Sequence, residues 1–250
     1  MNLDWDAKKY STDFSYVHEY GSDLLDLIDG RGGRVLDLGC GNGALTRKLS
    51  EAGFRAEGMD NSESLLCAAR ASYPELPFFL GDAADFHPEE PYDIVFSNAV
   101  FHWIPRERQR DMLRCIYDAL HRHGQLVFEM GGSGNVRKIL GALRDSFHRH
   151  ERFFERPFFF PTIGQYTALL EQAGFQVRYA VLFERPTMLK GDDGMYDWLN
   201  MFCNTPLNTF STEEKEIVLR ETVEALRPML CYNGKWAADY VRLRCRAIRL

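Results

Sequence analysis

Nine residues, Val35-Leu-Asp-Leu-Gly-Cys-Gly-Asn-Gly43, restrict this chain more than any other stretch. Val35 to Leu38 is a short apolar run broken only by Asp37, the pattern of a strand buried in a parallel sheet. Gly39, Gly41 and Gly43 then crowd together, where the missing Cβ lets the backbone turn sharply and approach a ligand. Ala44, Leu45, Lys48 and Leu49 follow at helical spacing. Strand, glycine turn and helix in succession place helix N-terminal amides beside a nucleotide-like molecule.

The same alternation continues downstream. Arg55 to Asp60 reads as a strand, with Asn61-Ser62 capping a helix through Arg70, and Phe78-Phe-Leu80 is a short third strand. Tyr92 to Ser97 is a fourth strand, Pro105 opens a helix that Gly124 ends, and Gln125 to Met130 is a fifth. Strands alternating with helices predict an α/β fold with a doubly wound, mostly parallel sheet. Upstream, Trp5, Tyr10 and the caps Ser11 and Thr12 introduce a helix that the Gly-Arg-Gly-Gly turn at 30–33 breaks. After Gly131-Gly-Ser-Gly-Asn135 the pattern loosens into a basic helix, an aromatic run at 153–160 and a helix over 162–173. Phe175–Phe183 reads as strand six, and Ala238–Leu250, alternating apolar residues with arginines, as a last strand with one polar face. Between them, 190–232 is a helical insertion, its second helix opened by a capping box of Ser211 and Glu214. The expectation is one domain over 1–250, with an N-terminal lid over about 1–28 and cap segments over about 134–162 and 190–232.

Composition narrows the functions. A net charge of −6 argues against a general nucleic-acid or membrane-surface binder, since neither phosphates nor anionic lipids would be attracted. No apolar run reaches the length that spans a bilayer, and Met1-Asn-Leu-Asp-Trp-Asp6 has acids where a secretory signal needs cations, so a cytoplasmic location is expected. The six cysteines are scattered without a CxxC pair or a nearby histidine at ligand spacing, so neither a disulfide framework nor a metal site is expected.

Gly39-Cys-Gly41-Asn-Gly43-Ala44 alone fits NAD, FAD or S-adenosylmethionine, with Asp60 placed for ribose hydroxyls. Three features separate these. Asp37 would repel a pyrophosphate but suits a ligand bearing an ammonium and a sulfonium. Gly81-Asp82-Ala83 ends the third strand with an acid that can accept from an adenine amino group. Nothing resembles a second nucleotide half or a hydride-transfer site. Taken in order, Val35–Gly43, Gly58-Met-Asp60, Gly81-Asp82-Ala83 and Phe96-Ser-Asn-Ala99 resemble the class I S-adenosylmethionine-dependent methyltransferases. Trp5-Asp-Ala with Tyr10, Asn98-Ala-Val-Phe-His-Trp103, Phe128–Asn135 and Trp236-Ala-Ala-Asp-Tyr240 are similar to the trans-aconitate methyltransferase-like subgroup.

The resemblance implies a Rossmann-like seven-stranded sheet of order 3-2-1-4-5-7-6 with its last strand antiparallel. It implies S-adenosylmethionine as cofactor, with S-adenosylhomocysteine as product. Gly39 and Gly41 would face the methionine moiety, Asp60 the ribose, Met59 and Asn61 the nucleoside, Asp82 and Ala83 the adenine, and Asn98 the transferred methyl. Tyr10 would close over the cofactor, with Trp5 beside it. His102 is the candidate catalytic base, read against a structural histidine beside Trp103, and Glu129 is a second candidate base. The expected partner is a small-molecule methyl acceptor, with a carboxylate suggested by the subgroup. Arg144, His148, Arg149, His150, Arg152, Arg156 and Arg185 could neutralise a polycarboxylate, whereas the aromatics at 153–160 and Trp198 could line an apolar pocket. The rival readings are an NAD-binding oxidoreductase and a catalytically silent partner subunit that keeps the cofactor fold.

Overall fold

The computed structural model describes Gly21 and residues 23–250, so Trp5, Tyr10 and the caps Ser11 and Thr12 lie outside the described residues. The first strand is β1 (Arg34–Leu38), followed by α1 (Ala44–Glu51), β2 (Arg55–Asp60), α2 (Glu63–Ser72), β3 (Phe78–Leu80) and β4 (Tyr92–Asn98). Then come α3 (Gln109–Ala119), β5 (Leu120–Gly131), α4 (Arg137–Arg149), α5 (Ile163–Gln172) and β6 (Phe175–Met188). The C-terminal part contains α6 (Gly194–Phe202), the short α7 (Asn204–Leu207), α8 (Thr212–Leu230), β7 (Cys231–Tyr232) and β8 (Lys235–Arg249). Ser62 caps α2 by accepting from the Leu65 amide, and Thr162 and Ser211 form capping boxes on α5 and α8.

The sheet runs β3-β2-β1-β4-β5-β8-β6, its first five strands parallel and β8 antiparallel to both neighbours. This is the order the resemblance implies, with one addition: β7 pairs with the start of β8, making eight strands where seven are expected. Alternation along β1 sends Leu36 and Leu38 to one face and Val35 to the other. Met112, Leu113 and Ile116 of α3 cover the first face with Tyr166 and Leu170 of α5. Leu45 and Leu49 of α1 cover the second with Leu24. Full burial of side chains such as Leu113 or Ile116 is worth about 1.5–3 kcal/mol each. A third cluster joins α4, α6 and α8 to Trp236 and Ala238 at the start of β8. No helix among the described residues is long and apolar enough to cross a membrane.

Two expectations change. The helix after Pro105 begins as a 3₁₀ turn and stops at Ala119, five residues before Gly124, because Leu120 already pairs with Tyr92 and is buried. The arginine face of β8 is not a solvated face. Glu129 on β5, 3% exposed, receives Arg185 of β6 at 2.6 and 3.0 Å and Arg244 of β8 at 2.8 Å, with Arg242 at 3.9 Å. Three guanidinium groups therefore converge on one carboxylate between neighbouring strands, which removes Glu129 from the candidate bases. Glu129→Ala should leave buried cations without a counter-charge and cost about 3–5 kcal/mol. Urea denaturation of the variant checks this, and a loss within 1 kcal/mol (about the worth of an exposed pair) would contradict it.

Candidate active site

The carboxyl ends of β1, β2, β3 and β4 open into one cavity, where a doubly wound sheet changes winding direction. Its empty space is about 1520 Å³, open mouth included. Leu38, Gly39, Gly41, Met59, Asp60, Asn61, Gly81, Asp82, Ala83 and Asn98 all line it, as does His102. Of the predicted site residues, Tyr10 lies outside the described residues and Asp37 is not on this wall. Asp37 is 1% exposed beneath the loop, where its carboxylate accepts from Thr46 Oγ1 at 2.7 Å and so ties α1 to β1. That bond to α1 lies beside the glycine turn that the cofactor was expected to approach.

The glycine loop is fixed by β2. Gly39 and Cys40 donate to the Met59 carbonyl at 2.7 and 3.0 Å, and Gly41 donates to Asp60 Oδ2 at 2.8 Å. Gly39 is left-handed, φ 78°, and a Cβ there would stand 2.2 Å from Val100 Cγ2, so only glycine fits. Gly41, φ 56°, has nothing within 4 Å of that position and faces open space. The second Asp60 oxygen accepts from Ser62 N at 2.9 Å. Burial raises the Asp60 pKa, while the amides of Gly41, Ser62 and Asn61 act against the rise. Each oxygen keeps a second lone pair for a ligand hydroxyl. At Asp82, burial alone would raise the pKa, but the Ala84 amide and Arg108, 3.0 Å away, outweigh it and hold the group low.

The far half of the cavity is aromatic. Trp103 meets Phe158 edge-on at 4.7 Å, Phe158 stacks on Phe160 at 5.2 Å, and Trp198 lies 5.1 Å from Phe202. Phe159 N donates to the His102 carbonyl at 3.0 Å, which clips the aromatic run to the 3₁₀ turn at Phe101–Trp103. Gln109, fully buried, braces that turn by donating to the Phe101 and Ile104 carbonyls, both at 2.8 Å. Tyr166 completes the brace by donating to Gln109 Oε1 at 2.8 Å. Val136, also on the wall, is a β-branched residue at φ 45°, a strain of about 1–3 kcal/mol. Its amide is held at the Asp239 carbonyl, 2.9 Å away, and its side chain is buried.

His102 is 6% exposed and its Nδ1 accepts from Gly131 N at 3.2 Å. That bond assigns the ring proton to Nε2. Burial first, and the nearby charge of Arg242 second, hold the pKa of His102 well below the ordinary histidine value. Arg242 lies on the same wall, its guanidinium 4.2 Å from the Tyr240 ring centre. Four of the seven basic residues expected to serve an acceptor pair with acids elsewhere, Arg149 and His150 with Glu221, Arg144 with Asp145, Arg185 with Glu129, and none of the seven is on the cavity wall. Arg242 was the overlooked cation, because a strand of alternating arginines does not reveal which one turns toward a cavity.

Residues 35–124 match the family model of a methyltransferase domain. The chain is 33% identical to a methyltransferase of Schizosaccharomyces pombe, C70.08c, over 96% of both chains. It belongs to the class I S-adenosylmethionine-dependent methyltransferases. It is also 30% identical to a trans-aconitate 2-methyltransferase of Mycolicibacterium gilvum over 69% of this chain and 70% of that one. Among solved structures, magnesium protoporphyrin IX methyltransferase from Synechocystis, determined with S-adenosylhomocysteine, has the same fold, with a TM-score of 0.55 at 18% identity over 94% of this chain and 83% of that one. The cofactor of this methyltransferase is S-adenosylmethionine, and the oxidoreductase reading falls away. The acids and open glycine on the wall, with no phosphate-binding cluster among the described residues beside them, fit a phosphate-free nucleoside.

Buried Asp37 should mark the pH dependence of stability. Burial first, and the charge of Asp60 to a lesser degree, raise its pKa from 3.8 to about 7, against the Thr46 hydrogen bond. The folded state then holds a proton that the unfolded state has released between those values, so stability falls as pH rises through that range. The full displacement corresponds to on the order of 4 kcal/mol by pH 8. In Asp37→Asn this slope should flatten between pH 5 and 8, as read by thermal melts of the cofactor-free protein. Parallel curves for the two proteins would refute the assignment.

Proposed function

We propose that this methyltransferase methylates a carboxylate oxygen of a small molecule, a reaction of the kind named for its trans-aconitate-methylating relatives. One observation carries the reading: His102, the expected base, is a neutral hydrogen-bond donor at Nε2, its Nδ1 lone pair occupied by Gly131 N–H. A phenol or carbon acceptor would need a base to take its proton. A carboxylate is ionised at neutral pH and needs none. The Nε2–H of His102 and the guanidinium of Arg242 suit an anionic oxygen on the acceptor side.

When bound, S-adenosylmethionine supplies a methyl on a sulfonium; as the carboxylate oxygen bonds to that carbon the C–S pair returns to sulfur, giving a methyl ester, neutral S-adenosylhomocysteine and no proton. The chain's part is binding, alignment and exclusion of water, and alignment alone is worth up to about 7–11 kcal/mol in ideal cases. Asp60 would accept from the ribose hydroxyls, Asp82 and Ala83 would border the adenine, Met59 and Asn61 the nucleoside. Gly39, Gly41 and Asn98 would border the methionine end, with Tyr10 over it. A cytoplasmic setting is part of the same proposal, supported by six cysteines that are all unpaired.

Incubation with methyl-labelled cofactor and a panel of carboxylic acids, phenols and amines tests the reaction. Labelled methyl esters are expected, and label found only in ethers or methylamines would overturn the carboxylate reading. Separately, Asp60→Ala should weaken S-adenosylhomocysteine binding at least about 100-fold, since two hydroxyl bonds to a charged acceptor are lost. Its circular dichroism should stay that of the parent; unchanged affinity by calorimetry would remove Asp60 from the ribose site.

A further inference from the structure

The walls of the acceptor half say more than that it takes an anion. Resting on the carboxylate reading, we infer that the acceptor is an apolar monocarboxylic acid: one carboxylate held by Arg242 and His102 Nε2–H, and a flat hydrocarbon body between the aromatic rings. Among the described residues the charged side chains on the cavity wall are Asp60, Asp82, Arg108 and Arg242. Arg108 is bound to Asp82 on the adenine side at 3.0 Å, which leaves Arg242 for the acceptor. A tricarboxylate would set its other two carboxylates against Trp103, Phe158, Phe160 and Trp198, where burying an ion without a partner is heavily unfavourable.

Arg242 is itself available to a ligand. Glu129, its nearest acid, is 3.9 Å away and already takes hydrogen bonds of 2.6–3.0 Å from Arg185 and Arg244. Glu129 is thus committed at hydrogen-bond distance to two other guanidinium groups, and Arg242 is the member on the cavity wall. Its guanidinium carbon lies 4.2 Å from the Tyr240 ring centre. A ligand carboxylate would give Arg242 a planar, bidentate partner. Shape points the same way: Phe158 and Phe160 lie at 16° to one another, and Trp103, Trp198 and Phe202 line the cavity with them. Such rings reward an aromatic or alkyl body, and the other polar residues on this side, Asn135, Thr205 and Tyr240, carry no charge to pair with a second carboxylate.

Calorimetric titration of the S-adenosylhomocysteine-loaded protein with 3-phenylpropanoate, its uncharged amide and trans-aconitate tests this without turnover. The acid is expected to bind at least tenfold more tightly than both. In Arg242→Gln the acid should weaken at least tenfold, to the level of the amide, with S-adenosylhomocysteine affinity kept. The wild-type ranking does not depend on how that variant folds. Tighter binding of trans-aconitate would overturn the monocarboxylate inference and keep the carboxylate reading. Equal binding of acid and amide would sink both, and absence of binding by the acid would overturn the inference.

Discussion

Glu129 sits where the parallel part of the sheet meets its antiparallel part, and much of the molecule is arranged around its charge. A lone carboxylate at 3% exposure would be costly, and so would any of the arginines around it. Together they bond β5 to β6 and β8 through side chains, and add a charge match to the register that side-chain burial already favours. The register Glu129↔Arg244 carries that match. That register in turn decides that Tyr240 and Arg242 reach the cavity, and that Asn135 meets β8, its Oδ1 accepting from Val241 N at 2.8 Å.

Local signals were the legible ones. Turns that need glycine, caps such as Ser62 and Ser211, and apolar alternation in β1 or α3 depend on residues a few positions apart, so the order of elements and the strand-end residues that line the cavity could be read from the chain. Arg242 could not. Its surroundings come from β5, β6 and the turn at His102, all remote in sequence, and nothing local separates it from Arg244 two residues on. The bond from Thr46 to Asp37 was hidden in a different way: an acid before a glycine turn reads as a ligand contact, and nothing in the pattern announces a threonine nine residues on as its partner. The end of α3 shows a related effect, where pairing of Leu120 with Tyr92 overrides the helix-ending glycine further on.

His102 shows how little separates a base from a donor. Its position beside the strand-four edge was readable, but its role rests on one backbone amide, that of Gly131, whose direction fixes the tautomer. The neighbouring charge of Arg242 then disfavours any second proton. Chemistry that depended on proton removal would have to find another group on this wall, whereas chemistry that needs only an anion held still is already provided for.

The cavity has two walls drawn from different lengths of chain. The strand-end loops from Leu38 to Ala83, with Asn98, build one side, proposed for the nucleoside, while most of the aromatic side comes from Pro157–Phe160, α6 and β8. The aromatic side is held together on its own account, Phe159 N bonding to the His102 carbonyl. Substitutions on the second wall can therefore change what is methylated while leaving the methyl donor's seat intact. Two chains alike only over the first wall would share a reagent and have no physical reason to share an acceptor.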